Sequence, residues 1–303
     1  MDKEAFRFIH SILPQGRTVY YDFPDRYALI LLEQYLGKGS TEISEIKKSR
    51  FAPLLEKPCV KSVISKVKNR SLQAEDFLLG WPKQPIGYRL TIGSWPDLSE
   101  KPSRRWSQVT RLGWSLVLQL NLSSSHRSKL EQSIPDWEEY TGYTGHPIAS
   151  DGELTLAWAR IDLDFDTGEA LIEEIQSDWV RDVQYYAGSQ YQFDRPQKWK
   201  EYLETMLKTQ ARKWPETMLS ATLWFLFSEL GIKTVFYHTQ LSGASLKQIK
   251  GTQPPKSLYK DWPKKFCFRS THNGPIFIRD SADRALRDLI IDPKTVWFIH
   301  DFA

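Results

Sequence analysis

Glu174, Gln176 and Asp178 stand two residues apart in the stretch EALIEEIQSDW, residues 169–179. Side chains two apart on a strand share a face. If the strand runs through Asp178, the three polar groups share one face with Ile172, while Leu171, Glu173 and Ile175 share the other. A carboxylate in a core is costly unless paired or hydrogen-bonded, so the row marks either a reactive site or a structural polar network. As a site, Glu174 is a candidate general base on an amine, with Asp178 as a second catalytic carboxylate. Gln176 and Trp179 are then candidate substrate-binding groups.

Three histidines, His126, His146 and His238, fall near expected strand ends or loops. His146, in Gly145-His146-Pro147, is the third catalytic candidate because loops carry reactive groups over a rigid scaffold. His238, Lys264 and Lys265 complete the binding candidates. No HExxH or similar spacing links the histidines, so no metal site is expected. As a network, the same row reads differently: Glu174 pairs with Arg160 across a hairpin, and Asp178 caps the following helix.

The elements that must position these residues are legible from periodicity and turn residues. Residues 154–163 and 169–176 read as an antiparallel hairpin around Asp164-Phe165-Asp166-Thr167-Gly168. Residues 114–122, WSLVLQLNL, read as a further strand, and the polar passage 123–152 as a helix, a site-lining loop or both. Residues 197–213 read as helical. Residues 214–230 read as a buried helix with Pro215 in its first turn and Gly231 after its end. A strand over 232–239 follows. Residues 255–265, PKSLYKDWPKK, lead to a strand-like 266–268, a short helix near 282–289 and a last strand at 295–300.

Upstream, helices are expected over 4–13, 24–36, after Ser40 and over 61–70, with strands at 18–23 and 86–92. The expected fold is therefore α/β (α+β): a mixed, largely antiparallel sheet flanked by helices. Residues 1–105 form a mostly helical N-terminal region, and 106–303 an α/β domain.

Composition bounds the rest. The 303 residues carry a net charge of +4, too small to demand an anionic partner. Lys61, Lys66, Lys68 and Arg70 lie on one helix, where they serve as a solvated face or as phosphate contacts to nucleic acid. Arg104, Arg105 and Arg111 would add to such a surface. The two cysteines, Cys59 and Cys267, form no ligand spacing and read as reduced core thiols of a cytoplasmic protein. Apolar runs such as 28–32 and 223–227 are far short of the ~20 residues that span a bilayer. No membrane association and no secretory leader are expected.

IEEIQSDW at 172–179 resembles the signature of an uncharacterised domain family found in large phage and prophage polyvalent proteins and in some stand-alone bacterial proteins. The resemblance extends loosely over residues 113–268: Ser124-Ser125-His126, Trp214 and its helix, Gly231, Val235-Phe236-Tyr237, and the 259–265 segment with its paired lysines. Val180-Arg181 stand where the family has His-Gln. The resemblance implies site positions and a mobile-element setting but no reaction.

The order of elements in the C-terminal part also resembles GNAT-type acetyltransferases. That likeness implies a group-transfer (acyltransferase-like) enzyme, with acetyl-CoA or another acyl-CoA as the expected cofactor and Lys264-Lys265 near its phosphates. The glycine-rich pyrophosphate loop of such enzymes is replaced here by QSDWVRDVQYY. The competing expectation is a non-enzymatic module that binds nucleic acid or a protein partner for a mobile element or a defence system.

Overall fold

The Asp164–Gly168 turn closes the hairpin that carries the polar row. In the computed structural model Asp164 Oδ1 accepts from Thr167 N–H at 3.0 Å, and Gly168 adopts φ +66°, a conformation that costs a side-chain-bearing residue. The structure describes residues 1–13, 17–103, 108–140, 146, 153–247, 255–292 and 295–302. Arg104 and Arg105, and the segment around the boundary expected near residue 105, lie outside the described residues.

The described residues form ten strands: β1 (Arg17–Asp22), β2 (Ser40–Glu42), β3 (Ser71–Gln73), β4 (Ile86–Trp95), β5 (Ser115–Asn121), β6 (Thr155–Asp164), β7 (Glu169–Gln176), β8 (Thr234–His238), β9 (Arg269–Thr271) and β10 (Trp297–Asp301). Eight form one mostly antiparallel sheet in the order β1-β4-β5-β6-β7-β8-β10-β9, and β2 pairs separately with β3. The expected mixed, largely antiparallel sheet flanked by helices is the observed architecture.

The chain clusters into two compact units, each assembled from separated segments. The first comprises residues 1–20, 87–163 and 172–221; the second comprises 21–86, 164–171 and 222–303.

In the first unit β5 runs antiparallel to both β4 and β6. The register sets Leu116 opposite Ile161, Leu118 opposite Ala159 and Leu120 opposite Ala157, an unbroken apolar face. The other face carries Gln119, set between Thr91 on β4 and Trp158 on β6. There Thr91 Oγ donates to Gln119 Oε1, Asn121 Nδ2 to Thr91 Oγ, and Thr155 Oγ to Asn121 Oδ1, all within 2.8 Å. A central sheet can bury polar groups only when they satisfy each other in this way.

Helices Asp178–Ala187 and Pro196–Thr205 follow β7. The next helix starts at Lys208 rather than Trp214, so Pro215 lies inside it rather than in its first turn. Burial of Met218, Leu219, Ala221 and Leu223 outweighs the ladder hydrogen bond that proline forfeits. The helix runs to Trp224 and ends in a π-turn at Phe225–Glu229, and Gly231 sits at φ +67° just beyond.

The second unit is built on helix Arg26–Leu36, buried along most of its length, and on β10 with its antiparallel neighbours β8 and β9. Leu246, Phe277, Ile278, Leu286 and Ile290 pack with Phe236, Trp297 and Ile299 of those strands. The strand expected at 266–268 is absent. Residues 256–265 form a helix, Phe266 caps it and Cys267 turns left-handed at φ +59°, so extended pairing begins only at Arg269.

Candidate functional site

The carboxylate of Asp178 is the centre around which the first unit gathers its polar side chains. β7 ends at Gln176, so Asp178 does not lie on the strand face expected for it. Ser177 makes the break: its Oγ accepts from Val180 N–H at 3.1 Å and caps the helix that Asp178 begins. The expected capping role of Asp178 therefore falls to Ser177. Its carboxylate, free of that duty, turns into the protein and is 7% exposed.

Four donors meet it. Trp158 Nε1 donates to Oδ2 at 2.8 Å. Oδ1 receives His146 Nδ1 at 2.7 Å, Gln176 Nε2 at 2.6 Å and Arg181 Nη2 at 2.6 Å. Burial pushes the Asp178 pKa up, but the hydrogen bonds from His146 and Trp158 and the charge of Arg181 outweigh it, and the acid stays below its usual range. An ionised carboxylate only accepts. His146 Nδ1 also lies 3.1 Å from the Gln176 amide nitrogen, which only donates; the shorter 2.7 Å contact to the carboxylate assigns the proton to Nδ1 and makes Nε2 the basic atom of the ring.

His146 packs edge-on against the Trp158 indole, with ring centroids 5.6 Å apart, and its side chain is 26% exposed. An imidazole held at one nitrogen by a buried carboxylate, with its ring reachable from solvent, is the geometry of a general acid–base dyad. One turn along the helix, burial raises the pKa of Asp182; Arg181 opposes that rise and Asp178 adds to it.

The structure thus brings together His146, Gln176 and Asp178. Glu174 sits beside them in a different role: its Oε1 accepts from Arg160 Nη2 at 3.1 Å, the cross-hairpin pair that the network reading describes. Trp179 points away, into a nest with Trp137, Trp199 and Tyr202, where its Nε1 donates to Tyr202 Oη at 3.1 Å. That bond leaves the Tyr202 hydroxyl to donate to His126 Nε2 at 2.7 Å, which holds His126 neutral. Burial, and then Lys129, lower the His126 pKa accordingly.

His238, Lys264 and Lys265 belong to the second unit. His238 is fully buried, stacked on Trp297 and bonded through Nδ1 to Ser242 Oγ at 3.1 Å. Lys264 and Lys265 end helix Lys256–Lys265, where cations complement the helix dipole; Lys265 Nζ lies 5.3 Å from the Tyr27 ring centroid. The basic helix spans Pro58–Lys66, so Lys68 and Arg70 lie beyond its end rather than on it; Lys61 pairs with Glu56 at 2.7 Å, and Lys66 Nζ donates to Leu79 O at 2.6 Å. Two of the four cations expected to contact nucleic acid are therefore engaged within the protein.

Sequence reasoning missed Trp158 and Arg181. Trp158, Arg160 and Asp162 form a period-two row on the strand that faces the EIQSDW strand, which was the available signal. Arg181 lies three residues after Asp178, one helical turn away.

The residues present do not fit an acyl-CoA held in the GNAT manner. In that arrangement pyrophosphate lies on the open N-terminus of the helix after the central strand. Here Ser177 Oγ already occupies the Val180 amide, and an ionised carboxylate stands in the first turn. Among the described residues, no three His, Cys, Asp or Glu side chains gather as metal ligands.

No protein-family model, no curated protein and no solved structure matches this chain.

Proposed function

We propose that the protein is a group-transfer or hydrolytic enzyme in which His146, oriented by Asp178, moves the proton. The observation that carries this reading is the 2.7 Å contact between His146 Nδ1 and a buried, ionised carboxylate that three further donors hold in place. In the reaction, Nε2 takes the proton from an amine, hydroxyl or water as that group attacks an electrophilic centre. The ring becomes an imidazolium, stabilised through Nδ1–H by Asp178, and returns the proton to the leaving group. The EIQSDW resemblance supports the same stretch as the site and supports a phage or prophage setting. An acyl donor remains within this reading; a coenzyme A pyrophosphate on the Asp178 helix does not.

The test is a turnover screen of the purified protein with acetyl-CoA plus amine acceptors, p-nitrophenyl acetate and p-nitrophenyl phosphate, with an oligonucleotide-binding arm. Turnover of one substrate is expected, falling at least ~100-fold in His146→Gln, as loss of a general base requires, and unchanged in His126→Gln. Turnover that survives His146→Gln refutes the proposal. So does salt-sensitive oligonucleotide binding with no turnover, the behaviour of a binding module.

A further inference from the structure

Arg50, in the second unit, is a half-buried guanidinium that makes no direct ion pair among the described residues. Its Nη2 lies 3.4 Å from His300 Nδ1, and its guanidinium carbon lies 4.7 Å and 5.7 Å from the Phe51 and Phe302 ring centroids. His300 is fully buried and donates from Nε2 to Phe266 O at 2.8 Å, which leaves Nδ1 as the acceptor for Arg50. That is one donor of five. Among the described residues no Asp or Glu lies within ion-pair distance of Arg50, and no second hydrogen bond is made. A cation withdrawn from water in this way ordinarily has an anion beside it.

The neighbours make the deficit larger. Burial, and then the charge of Arg269, lower the Arg50 pKa, and Cys267 and Asp301 only partly oppose them. Burial pushes the Cys267 thiol up to about 11, while Arg50 and Lys57 both pull it back, so both cations act at this one left-handed turn. Lys57 is shared with Asp25 at 3.5 Å, and Arg269 with Asp301 at 3.3 Å. Three cations thus gather by Cys267 with two carboxylates, Asp25 paired with Lys57 and Asp301 paired with Arg269 while also acting on Arg50 from beyond ion-pair distance. The second unit also carries the positive excess of the chain.

We infer that Arg50, supported by Lys57 and Arg269 beside the Cys267 turn, forms a binding site for a phosphate group. A guanidinium presents paired N–H donors that match phosphate oxygens two at a time, and it stays charged where an ammonium would lose its proton. Packing on Phe51 and the stacked His300 and Phe302 rings fixes the plane of the fork in advance. The aromatic side of the site also suits a base, so the phosphate can arrive free, on a small sugar or glycerol, or on a nucleotide.

The test uses the full chain. Inorganic phosphate, glycerol phosphate and adenosine monophosphate are titrated by calorimetry and thermal shift at constant ionic strength, with chloride as reference. The expected result is saturable binding of phosphate by the wild type. Affinity should fall at least tenfold in Arg50→Gln, with an intermediate loss in Lys57→Gln. Arg50→Lys keeps the charge and the fold but should still bind more weakly than wild type, because the fork is gone. Adenosine monophosphate binding tenfold tighter than phosphate would assign the ligand to a nucleotide; equal affinities would assign it to a free or small-molecule phosphate. Phosphate that shifts the wild type no more than chloride overturns the inference, as does undiminished binding in Arg50→Gln and Arg50→Lys together.

Discussion

Trp158→Phe, Asp178→Asn and the double variant form a cycle that measures whether the Asp178 carboxylate is held as described. The indole N–H reaches Oδ2 over 2.8 Å, and both residues are more than nine-tenths buried. A hydrogen bond to a charged group contributes about 1.5–3 kcal/mol. Phenylalanine removes it and also leaves a space where the second indole ring was, worth about 1 kcal/mol more. Trp158→Phe should therefore destabilise the first unit by about 3 kcal/mol. Asparagine keeps the shape of Asp178 but places an amide NH₂ against either the Trp158 donor or the three donors on Oδ1. Breaking a buried charge pair from one side costs about 3–5 kcal/mol.

The cavity term cancels in the cycle, so the coupling should be about 1.5–3 kcal/mol. Urea unfolding at neutral pH, followed by circular dichroism, reads it from the midpoints if the slopes stay equal. The coupling should also depend on pH in one direction. The folded pKa of Asp178 is depressed, so its stabilisation is complete above the unfolded carboxylate value and is lost as pH falls through the lower folded one. A coupling below about 0.5 kcal/mol, the scatter of independent sites, or one that persists in acid, would refute the charged-acceptor geometry.

Three other changes test neighbouring parts. Burial and the charge of Arg50 hold the His300 pKa well below its usual value, so the unfolded chain binds the extra proton first. Stability should fall as pH drops below about 6.5, with this residue contributing up to ~1.4 kcal/mol per pH unit; His300→Gln should flatten that limb in urea midpoints taken from pH 8 to 5. Gly168→Ala meets no atom within 4 Å, so its cost is the φ of +66° alone, roughly 1–2 kcal/mol by thermal melt. Tyr202→Phe leaves the Trp179 donor and His126 without their shared hydroxyl and should cost about 1–3 kcal/mol, the penalty of buried unsatisfied groups.

The hairpin was legible because its signals are local: alternation on both sides of a turn whose Asp and Gly have fixed conformational uses. The Glu174–Arg160 pair was legible for the same reason, since hairpin partners follow from the turn. Asp178 was misplaced by a single residue's chemistry. Ser177 can continue a strand or cap a helix, and only the Val180 amide above it decides. Glu173 shows the other limit. It was assigned to an otherwise apolar face, yet it is fully buried and accepts from Thr110 N at 3.0 Å and Thr110 Oγ at 2.8 Å. A partner 63 residues away leaves no periodic trace beside the strand. His146 was picked out because it lies on a loop, and its alignment with Asp178 is a tertiary fact.

The interleaving of the two units has a consequence for synthesis. The first unit is complete once residue 221 is available, whereas the second needs residues 21–86 and 164–171 together with 222–303. Between residue 86 and the first residue of its late partner lie about 135 positions, roughly 7–27 seconds of translation at about 5–20 residues per second. Helix Arg26–Leu36 packs early on residues 58–80, including helix Pro58–Lys66 and β3, but Tyr27 at its start must wait that long for Phe266, its stacking partner at 4.3 Å. The early segment of the second unit can therefore fold onto itself first, with the Tyr27 end of its apolar helix left open until the last segment arrives.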